Sequence, residues 1–219
     1  DVKGDIWTGT HKGLSVYDGV QFQTFTQKNG LPSNIVKSIC EDGFGRLWVG
    51  TQYGGLCMLD NFSKDEKIFT PFDINFGQVD KLSVNKIIET PDAKIYIGTN
   101  QGLAEVFNGQ VKTYTKKDGL KDNIIHDLEE DVNGDVWIGT ASGLCLFSNR
   151  EFISHLKIRN ISTGGVISTG AVRTIEQDKS DNIWIGTRNK GVIRLNINTY
   201  EAEVYDEDKG LSEDIVLSI

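Results

Sequence analysis

The chain has 219 residues, 38 % of them hydrophobic and 25 % charged, with a formal net charge of −8. A chain of this length can bury about 70 % of its extended surface, so a full core is within reach. The acidic balance argues against nucleic acid, whose binders gather Lys and Arg on one face, and no apolar run approaches the ~18 residues of a membrane span.

Taken in chain order, the first strand signal is Trp7-Thr8-Gly9-Thr10. The same pattern returns as Trp48-Val49-Gly50-Thr51, Tyr96-Ile97-Gly98-Thr99, Trp137-Ile138-Gly139-Thr140 and Trp184-Ile185-Gly186-Thr187. Their spacings of 41, 48, 41 and 47 residues fall in the range of β-propeller blades. Residues 35–51 and 56–60 show one unit most fully. A β-branched run over 35–41 is strand A, and Asp42-Gly43-Phe44-Gly45 is a turn. Strand B runs over 47–51, strand C over 56–60 and strand D over 67–72. Four antiparallel strands repeated head to tail bury their faces by stacking radially.

The expected fold is therefore all-β, a propeller of four-stranded antiparallel blades with about five blades present. Residues 1–219 read as a single propeller domain or fragment. Strands B to D of the first blade lie at 1–26, with further blades at about 35–72, 83–115, 124–155 and 171–206. A closing or next strand A lies at 215–219. The chain thus starts just after one strand A and ends just inside another, which suits a closed five-blade ring or an arc of a larger one. The repeated aromatic reads as filler between blades. The glycine two residues on reads as room for a neighbouring backbone, and the threonine as a residue suited to a pleated surface. Cys40 and Cys57 fall on the first and third strands of one blade, about 10 Å apart. A disulfide allows about 7 Å, so these two and Cys145 are expected to be buried thiols.

Residues 30–56, Gly-Leu-Pro-Ser-Asn-x-Val-x-Ser-Ile-x-Glu-Asp-x-x-Gly-x-Leu-Trp-Val-Gly-Thr-x-x-Gly-Gly-Leu, resemble the two-component regulator propeller repeat. Blade four fits the pattern well. Blade three departs from it, with Pro91-Asp92-Ala93 in the turn and Tyr96 for Trp, and blade five carries Gly191-Val192. The resemblance implies the periplasmic sensor region of a Bacteroides-type hybrid histidine kinase, part of an inner-membrane protein. In that family two consecutive seven-bladed propellers precede a membrane span and kinase domains. It further implies an oligosaccharide ligand, contact with adjacent domains of the same sensor, and a homodimer in the full-length protein. Neither nucleic acid nor a cofactor is implied.

In such a blade the B-to-C and D-to-A loops share one face, where ligands of small-molecule propellers sit. Candidate ligand-binding residues on the B-to-C loops are His11 with Lys12, Gln52, Tyr53, Asn100, Gln101, Ser142, Arg188, Asn189 and Lys190. On the D-to-A loops they are Asn34, Asn123 and Asp214, for which the alternative is capping of their own backbone. His126 joins them from an inner strand, at the repeat position of Lys37, Asn85, Arg173 and Leu217. Two connections break the period, 61–81 and 149–170. The second carries a Gly/Ser/Thr run over 161–170, readable as a plain long connection or as a lip over the channel. No catalytic set is expected, because His11, His126 and His155 lie on different blades without metal-ligand spacing. Asp131-Val132-Asn133-Gly134-Asp135 reads as a hairpin turn rather than a calcium loop. The alternatives to ligand sensing are a purely structural propeller, or a propeller lyase or lactonase.

Overall fold

The computed structural model describes residues 1–60, 67–77 and 81–219. Of the 61–81 connection, residues 61–66 and 78–80 therefore lie outside the described residues. The chain divides into two compact units, residues 1–113 and 114–219.

The first unit begins with a three-stranded sheet, β1 (Ile6–Thr10), β2 (Gly13–Tyr17) and β3 (Phe22–Phe25). A four-stranded antiparallel sheet follows: β4 (Val36–Glu41), β5 (Arg46–Thr51), β6 (Gly55–Asp60) and β7 (Phe69–Phe72). The next comprises β8 (Val84–Glu89), β9 (Ile95–Thr99), β10 (Leu103–Phe107) and β11 (Gln110–Tyr114). The second unit holds a sheet of β12 (Ile125–Glu130), β13 (Val136–Thr140), β14 (Gly143–Ser148) and β15 (Glu151–Ile153). Its last sheet has six strands. β18 (Val172–Gln177), β19 (Asn182–Thr187), β20 (Val192–Asn196) and β21 (Glu201–Tyr205) form the expected blade. To the outer edge strand β21 are added β16 (Ile158–Asn160), in parallel, and β17 (Val166–Ile167), antiparallel to β16.

The 149–170 connection is thus more than a plain loop. It runs out to the rim, where the otherwise open N–H and C=O groups of β21 take it up as extra strands. Arg159 N–H donates to Tyr200 O at 2.9 Å and Ile161 N–H to Ala202 O at 3.0 Å. Residues 215–219 form no strand. Val216 N–H donates to Thr187 O at 2.9 Å, so the segment leans on blade five without building a ladder of its own.

Within each unit, cores form between successive sheets. Val16, Phe25, Val36, Leu47 and Val49 join in one cluster, Trp48, Val84, Ile87, Ile95 and Ile97 in a second. In the second unit Trp137 packs with Val172, Ile175, Ile183 and Ile185. The aromatics fill the gaps between blades, with Trp48 and Trp137 each only 1 % exposed. Each indole also donates to the aspartate that opens the preceding turn. The distances are 2.9 Å for Trp7 to Asp1 and 2.8 Å for Trp48 to Asp42, Trp137 to Asp131 and Trp184 to Asp178. Asp131 further accepts the N–H groups of Asn133 and Asp135 at 2.9 and 3.1 Å, so its carboxylate closes a hairpin.

The repeated glycine makes room for a side chain rather than a backbone. A Cβ on Gly9 would sit 2.6 Å from Val36 Cγ1, on Gly50 2.5 Å from Val84 Cγ1, and on Gly139 2.7 Å from Val172 Cγ1. Each socket receives the first valine of the next inner strand. The threonine is likewise more than a strand former. Its hydroxyl donates across the B-to-C turn, from Thr10 to Gly13 O at 3.0 Å, Thr51 to Gly55 O at 2.9 Å and Thr140 to Gly143 O at 2.6 Å. Cys57 and Cys145 are buried, but Cys40 is only half-buried, and all three thiols are free. Burial pushes Cys57 up to about 12. Burial, joined by the nearby Glu89 and Asp42, pushes Cys40 up to about 11.

Candidate functional site

The loop-bearing face is set by one repeated bond. The residue after each strand-B threonine donates its N–H to the residue just ahead of strand A. The bonds are Gln52 to Ile35 O at 2.9 Å and Asn100 to Ser83 O at 3.1 Å in the first unit. In the second they are Ala141 to Ile124 O and Arg188 to Ala171 O, both 2.9 Å. B-to-C loops and the leads into strand A therefore lie side by side.

A second device recurs on the same strands. Val36 opposes Thr51 while Ser38 opposes Gly50, which leaves Lys37 as the extra residue of a β-bulge. The same shift falls on Asn85, His126 and Arg173. A bulge breaks the ladder locally and re-aims a side chain. This is why that row changes character from blade to blade: its side chains are released from ladder packing. In blades two and four the residue after the bulge ties neighbouring inner strands together. Ile87 N–H donates to Ser38 Oγ at 2.9 Å, and Ile175 N–H to Asp127 Oδ2 at 2.8 Å.

In the first unit three of the sequence candidates fall into one constellation. The B-to-C loop of blade two is one residue longer than those of blades one, three and four, and it takes up the extra length with Tyr53 in the left-handed region at φ 63°. Tyr53 is 58 % exposed, and its N–H donates to Ser83 Oγ at 3.1 Å. Ser83 N–H in turn donates to Asn100 Oδ1 at 2.9 Å, and Asn100 Nδ2 donates to Lys81 O at 3.1 Å. Lys81 Nζ stands 5.9 Å from the Tyr53 ring centre. Gln52 follows Thr51 in the same loop. Beside the ring opens a cleft of about 610 Å³, lined among others by Leu56, Phe72, Ile74, Asn75 and Leu82. Gln101 N–H closes on Thr99 Oγ1 at 2.9 Å. His11 and Lys12 are exposed in the β1–β2 turn. Ser83 and Lys81 were missed, because blade three lacks the Gly-Leu lead that marks this loop in blades two and four.

In the second unit Asn123 Oδ1 accepts the N–H of Lys116 at 2.8 Å, capping a short 3-10 turn over Lys116–Asp118. Asn34 accepts from Gln27 at 2.8 Å and Asp214 from Glu207 at 3.0 Å in the same way. These three side chains therefore serve their own backbone. Ser142 Oγ donates to Asp122 Oδ2 at 2.5 Å. Arg188, Asn189 and Lys190 are exposed on the last B-to-C loop, and Lys190 Nζ donates to Ser168 O at 2.8 Å. That bond pins the end of the long connection against the loop, as does Leu144 N–H donating to buried Thr169 Oγ1 at 3.0 Å. His126 sits on β12, half-buried, one inner strand away from Arg173.

The description "Two component regulator propeller" matches residues 30–53, 119–142 and 166–189. These three stretches, about a third of the chain, are similar to the two-component regulator propeller repeat. Among curated proteins, Histidine kinase P4 of Formosa agariphila is 30 % identical over 96 residues, 42 % of this chain and 7 % of that protein. Among solved structures, the extracellular domain of a putative hybrid two-component system from B. thetaiotaomicron superposes with a TM-score of 0.76 at 22 % identity. The match covers 97 % of this chain and 28 % of that one. The extracellular domain of a putative one-component system of the same organism gives 0.69 at 24 % identity, over 97 % of this chain and 36 % of the other. These likenesses show the fold, a β-propeller of four-stranded blades. The chain spans well under half the length of each of these relatives.

Proposed function

We propose that these regulator propeller repeats are the ligand-sensing segment of an extracytoplasmic two-component sensor. In this reading they recognise an oligosaccharide on the loop-bearing face and pass the signal to a kinase elsewhere in the full protein. The observation that carries the ligand is the Tyr53 constellation. An exposed aromatic ring offers a flat apolar platform for the C–H face of a pyranose, while Asn75 at the cleft, Gln52 and the Lys81 ammonium supply donors and acceptors for its hydroxyls. The cleft offers a mixed lining, with Asp73 and Asn75 beside its apolar residues, and placed polar groups of this kind fix the orientation of a small ligand. The relatives named above supply the context: a histidine kinase and extracellular domains of putative two- and one-component systems. Binding in the cleft would shift the packing against adjacent domains of the same sensor, and through them a homodimer at the inner membrane.

Calorimetry of the whole sensor region against a panel of polysaccharide fragments tests this. One fragment should bind, and Tyr53→Ala should weaken it about tenfold, as loss of a stacked aromatic contact would. A panel with no binder, or a Tyr53→Ala variant with unchanged affinity for the fragment that binds, sinks the reading.

A further inference from the structure

The structure assigns a second site, on the face of the second unit, to an oxyanion: the carboxylate or sulfate of the sensed ligand. It lies on the loop-bearing side of that unit and rests on other residues than the reading above. Four arginines lie on strands. Arg46 is paired with Asp42 at 2.7 Å, Arg159 with Glu201 at 3.3 Å and Arg194 with Glu203 at 3.5 Å. Arg173 is the exception among the described residues, in a chain whose acidic groups outnumber its basic ones. Its Nε is buried and has no hydrogen-bond partner. A buried N–H left so costs free energy unless something supplies the missing acceptor.

Its place in the fold says where that acceptor comes from. Arg173 is the bulged residue of β18, so its side chain leaves the ladder. It lies between Val172, which opposes Thr187, and Thr174, which opposes Gly186. Arg188 begins the adjoining loop, tied by its N–H to Ala171 O at 2.9 Å. A second guanidinium and the Asn189 amide therefore leave the backbone beside Arg173. The nearest buried carboxylate on the neighbouring inner strand, Asp127, is turned to the N–H groups of Leu128 and Ile175 at 3.0 and 2.8 Å. Lys190 is drawn off to the Ser168 carbonyl at 2.8 Å. Arg173 on β18 and Arg188 on the adjoining loop thus carry two guanidinium groups at neighbouring backbone positions, and planar forks of this kind suit a bidentate oxyanion.

The test uses three probes on the full chain: inorganic sulfate, a galacturonate trisaccharide and its neutral galactose counterpart. Calorimetry should find an anionic probe that binds, and Arg173→Met, which keeps the stem and removes the charge, should weaken it at least about tenfold. The neutral probe should be unaffected by that change. Arg173→Lys, which keeps charge but loses the fork, should fall between, and it carries the test if the Met variant melts early. Uronate binding that Arg173→Met abolishes identifies an acidic saccharide. Sulfate binding alone, with the same Arg173 dependence, upholds the anion site and removes the uronate as its ligand. Equal affinity for charged and neutral saccharides, or anion binding indifferent to Arg173, overturns the inference and leaves the Tyr53 site standing.

Discussion

Gly50→Ala is the sharpest probe of how the blades lock together. The added Cβ would stand 2.5 Å from Val84 Cγ1, 3.0 Å from Val84 Cβ and 3.3 Å from Ile87 Cδ1. Carbon atoms settle about 3.5–4.0 Å apart, so about an ångström of overlap must be relieved. Val84 is fully buried on β8, and its β-branched side chain has little rotamer freedom, so relief requires movement of the strand. Overpacking of this kind costs about 1–3 kcal/mol. Ala in a strand would otherwise gain about 0.5–1 kcal/mol over Gly, so a net loss reports the socket and not the backbone. Val84→Ala alone removes two buried methyl groups, roughly 1.6 kcal/mol before any cavity term. In the double variant the 2.5 Å clash with Cγ1 is gone and only the 3.0 Å approach to Cβ and the 3.3 Å approach to Ile87 remain, so its cost should undercut the sum of the singles by about 1 kcal/mol. Urea unfolding followed by tryptophan emission measures all four corners of the cycle. Costs that simply add would mean that Gly50 is not a socket for Val84.

Three further outcomes follow from the same geometry. Asn123→Ala removes the acceptor that caps Lys116 N–H and should cost about 1 kcal/mol, read as a lower melting temperature with ligand affinity unchanged. Hydrogen bonds from the Trp184 indole and from Asn182 hold the Asp178 carboxyl well below the usual carboxylate range. Its folded pKa is depressed, so the unfolded chain binds more protons at low pH. The stabilisation is present above the unfolded value near 4 and fades as pH falls below it. Asp178→Asn should therefore flatten the acid limb of a melting-temperature profile. Cys57 and Cys145, pushed by burial up to about 12 and 11, should resist alkylation at pH 8 until urea unfolds the chain, whereas fast labelling of native protein would contradict their burial.

The scaffold was legible because every blade repeats the same solution. Trp48 and Trp137 announce the gaps they fill, and Asp42 and Asp131 the turns they close. What stayed hidden were the partners, since a sequence shows neither ends of a bond. Gly50 looked like space for a backbone, and only the position of Val84 shows which atoms need the room. The threonine looked like a strand former, while its hydroxyl closes the loop behind it. At the candidate sites, the fact that loops and inner strands share a face followed from topology, and Tyr53 and Arg188 stood out there. Ser83, Lys81 and Arg173 did not, because their importance lies in a hydrogen bond made across 30 residues or in one not made at all.

The connection between blades four and five has a mechanical consequence. It leaves β15, joins the rim of blade five through β16 and β17, and then crosses to the hub to become β18. The same stretch of chain thus grips both edges of one sheet, with Lys190 and Thr169 fastening the crossing. Tension on the hub is carried directly to the rim along this strap. Both sides of blade five are therefore held by one stretch of chain, and the sheet should yield to force as a single body, in one step.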